Sequence, residues 1–235
     1  MKSNKNKRND RKIVDYSKLR FNNICSKEYR HLFLLLGWVG YFLAYFLTEN
    51  LIPVSKCHLV HSRIDDLIPF NEFFVVFYVF WYILVFGSLL YFLLYDVESF
   101  KGLQIFIIVT QVIATIVYIV WPSVQDLRPA EFERENFFTW ILSIIYAADT
   151  PTGVCPSLHV AYSLGILSAW LKRKETGAGF KIFVAVSVVF ICMSVNFVKQ
   201  HSFLDVVWAI PVGVVAECFT YGKTYWLPRL KRTKD

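Results

Sequence analysis

Apolar residues in this chain fall into long unbroken runs, separated by shorter segments in which basic residues, prolines and a few histidines collect. A bilayer core takes about 20 apolar residues wound as a helix. Five runs, at 31–52, 73–95, 103–121, 180–198 and 203–221, meet that length, and aromatic residues stand near many of their ends, where interfacial anchors belong. A sixth run, at 158–171, is short; it follows Pro156 and stops at the basic cluster Lys172, Arg173, Lys174. Such a segment predicts a helix whose first turn begins below the membrane surface, inside protein rather than lipid. The apolar stretch 137–147 is too short to span and reads as an interfacial or re-entrant piece. The expected fold is all-α: a polytopic membrane protein built as a six-transmembrane-helix bundle, without internal repeats or a soluble domain.

Composition agrees with that pattern. Of the 235 residues, 56% are hydrophobic and 18% aromatic, against 18% charged, a balance that needs lipid as solvent. The net charge of +7 would suggest nucleic acid in a soluble chain. Here the basic residues flank apolar runs, so the charge reads as a topology signal and no nucleic-acid partner is expected. Residues 1–30 hold ten Lys and Arg and no apolar run, which predicts a partly disordered basic tail and not a cleaved signal peptide. A second basic tail covers 223–235, leaving 31–222 as the transmembrane domain. With six spans, 20 Lys and Arg fall on the side of the two termini and 5 on the other. The positive-inside rule then makes this a multi-pass protein of the cell membrane with both termini in the cytoplasm. A seventh span at 137–147 would weaken the asymmetry. The five cysteines show no metal-type spacing, and a disulfide between Cys57 and Cys155, both outside on this topology, is compatible with it.

Ionisable groups at membrane depth are costly, so those beside or inside spans are candidates for a site. Arg128 lies in Asp126-Leu127-Arg128-Pro129, His159 in Pro156-Ser157-Leu158-His159, and His201 with Asp205 opens the last span. All four fall on the side opposite the termini, and the charge counts that set the orientation are almost independent of the histidines. A spacing of four puts His201 and Asp205 on one helix face, where the carboxylate can hold one ring nitrogen and leave the other as nucleophile. Spacing alone leaves open a histidine merely satisfied by a neighbouring acid. His159, in a first helical turn, would meet free backbone donors and the positive end of the dipole, and could serve as general acid toward a leaving oxygen. Arg128 offers a planar fork of donors to phosphate oxygens, and Lys199 a point charge near His201 or a snorkelling interfacial lysine. Ser157 either donates to the anion or caps the helix. Phosphoryl transfer needs such charge neutralisation more than many reactive groups. Gln104 and Gln111, seven apart on one face of the third span, read as hydrogen-bonding glue between helices.

Arg128-Pro129, Pro156-Ser157-Leu158-His159, and His201 with Asp205 four later, in a six-span chain, resemble the type 2 phosphatidic acid phosphatase superfamily, whose motifs run K-x6-R-P, P-S-G-H and S-R-x5-H-x3-D. The resemblance covers the C-terminal half. It implies a helical bundle of the phosphatase and haloperoxidase type, with His201 as nucleophile, Asp205 its orienter, His159 the general acid, and Arg128 with Ser157 on the phosphate. Trp121 and Val195 stand where the first and third motifs carry Lys and Arg, so two phosphate cations are missing. Leu158 replaces the middle glycine, and Lys199-Gln200-His201 adds a cation close to the nucleophile. These forms look more like the inositolphosphotransferase and sphingolipid-synthase-like branch, in which the phosphohistidine can be passed to a lipid alcohol.

The expected function is hydrolysis of a phosphomonoester or diphosphate of a lipid through a phosphohistidine, by a metal-independent enzyme with no cofactor. The alternatives are a lipid phosphotransferase using the same histidines and, from another class, a transporter whose intramembrane charges line a pathway. Two histidines and a carboxylate could also form a metal site, which Arg128 and Lys199 beside them would disfavour. The partners are the bilayer and a phosphorylated lipid; which lipid, and the oligomeric state, are not set by the sequence.

Overall fold

The computed structural model describes residues 14–232, so residues 1–13 and 233–235 of the two basic tails lie outside the described residues. In chain order the helices are α1 (Leu36–Leu51), α2 (Arg63–Leu67), α3 (Val75–Tyr95), α4 (Val97–Val120), α5 (Phe137–Ala148), α6 (Leu158–Lys172), α7 (Ala178–Phe197), α8 (Phe203–Tyr221) and α9 (Leu227–Arg232). Two short strands, β1 (His58–Leu59) and β2 (Ser123–Val124), pair in parallel among the loops. The chain is an all-α, multi-pass membrane protein: among the described residues, five helices are long and apolar enough to cross a membrane, at Arg30–Leu51, Glu72–Tyr95, Val97–Val120, Ala178–Phe197 and Phe203–Arg232. Helix is the form such runs take because it satisfies every interior backbone group without water.

Helices α3 and α4 form a tight hairpin with only Asp96 between them. The Asp96 carboxylate accepts from Ser99 N (3.2 Å) and caps α4, which therefore starts six residues before the expected position 103. Glu98 and Lys101 pair at 2.7 Å on the first turns, so these charges do not interrupt the helix. Helix α6 lies at the centre, against α3, α4, α7 and α8. It starts beside α8, where Ser157 N donates to Asp205 O (3.1 Å), and ends at Arg173, whose Nε donates to Asp96 (3.1 Å). Its 15 residues thus run from the histidine end of the bundle to the α3/α4 hairpin end. Helix α5 behaves differently. Near its start Asn136 donates to Glu72 (3.1 Å), and near its end Tyr146 donates to Val198 O (2.6 Å), so both ends stay with the loops at the histidine end.

Close packing around α6 depends on Gly165. A methyl group there would lie 2.4 Å from the ring of Phe106, itself 1% exposed. Gly165→Ala is expected to destabilise the bundle by about 1–3 kcal/mol, since an overfilled core must shift backbone or rotamers; the thermal midpoint of the detergent-purified protein measures it. Gln104 serves as glue, accepting from Trp38 Nε1 and donating to Leu34 O, both at 3.2 Å, and so ties the otherwise peripheral α1 to α4. The Gln111 amide makes no comparable tie between helices and only approaches the Tyr162 hydroxyl.

The part of the N-terminal tail from residue 14 onward is not loose. Val14 and Tyr29 pack on Val97, and Tyr16 donates to Leu93 O (3.0 Å) while meeting His31 Nε2 at 2.7 Å. Helix α8 likewise passes the expected boundary at 222, through a π-helical turn Gly222–Trp226 into α9. At the histidine end, β1 pairs with β2, and Val124 bridges to Thr152, binding the loops after α1, α4 and α5 together.

Candidate active site

The turn between α7 and α8 carries the nucleophile candidate. Val198 ends α7, and Lys199 takes a left-handed conformation (φ 53°) that reverses the chain. Gln200 N and His201 N then both donate to Val195 O at 3.0 Å. His201 stands just before the N-cap of α8, Ser202, which forms a capping box with Asp205. Asp205 Oδ2 accepts from Ser202 N (3.0 Å) and from His201 Nδ1 (3.1 Å). The pair expected from a spacing of four on one helix face is therefore made, but by cap geometry, with the histidine outside the helix. Asp205 is fully buried and the His201 side chain is 12% exposed. With Nδ1 engaged, Nε2 is the ring nitrogen left for chemistry.

Ser157 is the N-cap of α6 and puts His159 in its first turn, as the sequence suggested. Its hydroxyl makes no cap bond and is buried without a partner. The His159 ring lies against Trp81 and Tyr78, with centroids 4.0 and 4.5 Å away, and Trp81 Nε1 donates to His159 O (3.0 Å). Its Nε2 is buried and unpaired. The two imidazoles meet edge to face, with centroids 5.9 Å apart and ring planes at 62°. Both line a cavity of about 400 Å³ walled by aromatic side chains of α1 and α3, among them Tyr41, Tyr45, Trp81 and Tyr82. Larger cavities of about 520 and 600 Å³ lie elsewhere. The first is lined by Lys172, Arg173, Lys174 and Arg229, of which Lys172 pairs with Glu217 (2.5 Å) and Arg173 with Asp96, and neither contains a histidine.

Arg128 and Lys199 are placed otherwise than the sequence suggested. Arg128 Nη1 donates to Tyr146 O (3.2 Å) and Asp149 O (2.9 Å), and Nη2 to Thr150 O (3.2 Å) and Gln200 Oε1 (2.5 Å). Four of its five N–H groups thus fasten the end of α5 to the nucleophile turn, and only the buried Nε–H has no partner. Lys199, expected on the phosphate, donates to Asp65 O (2.9 Å) and Ile68 O (2.6 Å) and does not line the cavity. Its ammonium holds the loop after α1 against the turn. Nor do Cys57 and Cys155 pair: all five cysteines are free. Cys155 is buried near Asp205, and burial first, then that carboxylate, push its thiol up to about 12.

Asp65, which the sequence reading passed over, braces the whole turn. It is 3% exposed and accepts from Ser62 N (2.7 Å), Ser62 Oγ (2.9 Å), Ser202 Oγ (2.6 Å) and Phe203 N (2.7 Å). Burial pushes its carboxyl up, but the hydrogen bonds from Ser202, Phe203 and Ser62 outweigh it and leave the group below its usual range. A depressed carboxylate stabilises the fold above its unfolded pKa, about 3.9, and that contribution fades as pH falls through the lower folded value. The wild-type thermal midpoint is therefore expected to drop in this acid window. Asp65→Asn should start lower at pH 7 and change less on acidification, which a midpoint series from pH 7 to 3 checks. The signal for Asp65 was present: Ser62-x-x-Asp65 and Ser202-x-x-Asp205 are both capping-box patterns.

Among the described residues, no group of three or more His, Cys, Asp and Glu side chains is arranged to hold a metal ion. No family model matches the chain, and no curated protein or solved structure matches it either.

Proposed function

We propose that this chain is a membrane-embedded lipid phosphate phosphatase, hydrolysing a phosphomonoester or diphosphate of a lipid through a phosphohistidine on His201. The observation that carries the reading is the adjacent pair of imidazoles, one fixed by a buried carboxylate and the other buried with a free Nε2, in one cavity. On the same cavity wall the buried Gln200 Nε2 is a donor that the protein does not fully satisfy. Such a donor is costly, and a bound anion would satisfy it.

In the first step His201 Nε2 attacks phosphorus and the bond from phosphorus to the lipid oxygen breaks. His159 gives its proton to the departing oxygen. Asp205 holds His201 by Nδ1–H and offsets the positive charge that the ring gains. In the second step a water loses a proton to His159 and attacks phosphorus, which breaks the P–N bond and frees phosphate. The aromatic wall, which comes largely from α1 and α3, suits an apolar substrate stem.

In this proposal α6 is the sixth span, short because its first turn starts inside protein beside α8. Both termini then face the cytoplasm and the histidines the outside, as the 20 to 5 division of Lys and Arg favours. The test is phosphate release by purified protein from a panel of lipid phosphates, with a chelator throughout and a lipid alcohol added in a parallel series. Release that persists with chelator supports the proposal. Release that stops on chelation points to metal chemistry, and a phosphorylated acceptor lipid in place of free phosphate makes the protein a phosphotransferase.

A further inference from the structure

Gln200 lies between the arginine and the histidines. It is 2% exposed, its Oε1 accepts the 2.5 Å bond from Arg128 Nη2, and its buried Nε2 approaches the Tyr78 hydroxyl without forming a well-aligned hydrogen bond. It lines the same cavity as His159 and His201, whereas Arg128 does not. A carboxamide whose oxygen is held by a guanidinium has its orientation fixed, and its N–H groups are polarised by the cation behind them. Burying that NH2 costs free energy, and the Tyr78 hydroxyl, which it approaches, can answer only one of its two N–H groups.

We infer that Gln200 is a catalytic residue: its amide N–H donates to a non-bridging oxygen of the phosphoryl group, and Arg128 acts through it as a positioning residue. This inference rests on the reading of His201 as phosphorus nucleophile. It accounts for the absence of any Lys or Arg in the cavity wall and for an arginine tied to three backbone carbonyls. Charge reaches the anion through one neutral, oriented donor. Such a donor works best on charge that develops in the transition state, so its removal should appear in kcat more than in KM.

The experiment compares wild type, Gln200→Met, Gln200→Glu and His201→Ala in detergent, reading steady-state phosphate release, inhibition by orthovanadate and the thermal midpoint. Gln200→Met keeps the volume and removes the donor; Gln200→Glu keeps an oxygen for Arg128 and turns a donor into an acceptor. Both are expected to lose about a hundredfold in kcat, the usual effect of deleting one donor of this kind, and to need at least about tenfold more vanadate for half inhibition. Wild-type kcat and vanadate sensitivity in either variant, with His201→Ala inactive, would overturn the role of Gln200 and leave the phosphohistidine reading standing. Full activity in His201→Ala would remove that reading and this inference together.

Discussion

His201→Ala is expected to lower phosphate release from lipid phosphates by at least about a hundredfold, or about 2.7 kcal/mol of transition-state stabilisation, because covalent catalysis is lost. The loss should fall on kcat. Apolar substrate contacts belong to the cavity wall of α1 and α3, which the substitution leaves alone. Folding should survive too, since the side chain's one hydrogen bond is to Asp205, which still accepts from Ser202 N. Asp205→Asn is expected to be damaging for a different reason. The amide can present its NH2 to Nδ1, which favours the tautomer with the proton on Nε2 and removes the nucleophilic lone pair. Steady-state kinetics beside thermal midpoints separate these effects from unfolding.

The second large effect is expected at His159 and depends on the leaving group. A general acid contributes about 10²- to 10⁴-fold where the departing oxygen is strongly basic, as in a lipid alkoxide. His159→Ala should therefore form the phosphohistidine very slowly from a lipid phosphomonoester but at close to the wild-type rate from an aryl phosphate, whose phenolate needs no proton to leave, giving a burst of phenolate before slow turnover. His201→Ala should be equally poor on both. A His159 variant whose first step is equally slow on both substrates, with no burst on the aryl phosphate, would instead assign the residue to packing, a role its place against Trp81 and Tyr78 also allows.

The long apolar helices were legible because lipid imposes one simple demand, about 20 apolar residues in a row, and α1, α3, α4, α7 and α8 answer it. The start of α4 was misjudged because Asp96, Glu98 and Lys101 read as loop, whereas a helix end at the bilayer surface accommodates charges as caps and ion pairs. The pairing of His201 with Asp205 was legible from spacing, although a helix cap and not a helix face makes it. The approach of His159 was expected from the side of the membrane to which both histidines were assigned and from the motif resemblance. The uses of Arg128 and Lys199 were not legible. Both make hydrogen bonds to carbonyls of loops distant in sequence, at Tyr146 and Asp149 or at Asp65 and Ile68, and no local pattern records such partners. Gln200 escaped notice for a related reason: a glutamine is conspicuous only once it is seen buried, held by one atom and not fully satisfied at the other.

The most direct test is to trap the intermediate. Wild type and the His201→Ala and His159→Ala variants are mixed with lipid carrying labelled phosphate, quenched in alkaline denaturant and mapped by mass spectrometry. A label on the imidazole of His201 that survives base and is lost in mild acid, absent from His201→Ala and accumulating in His159→Ala with an aryl phosphate, is the predicted result. A label on any other residue, or steady hydrolysis with no label on His201 in either His201-containing protein, would contradict it.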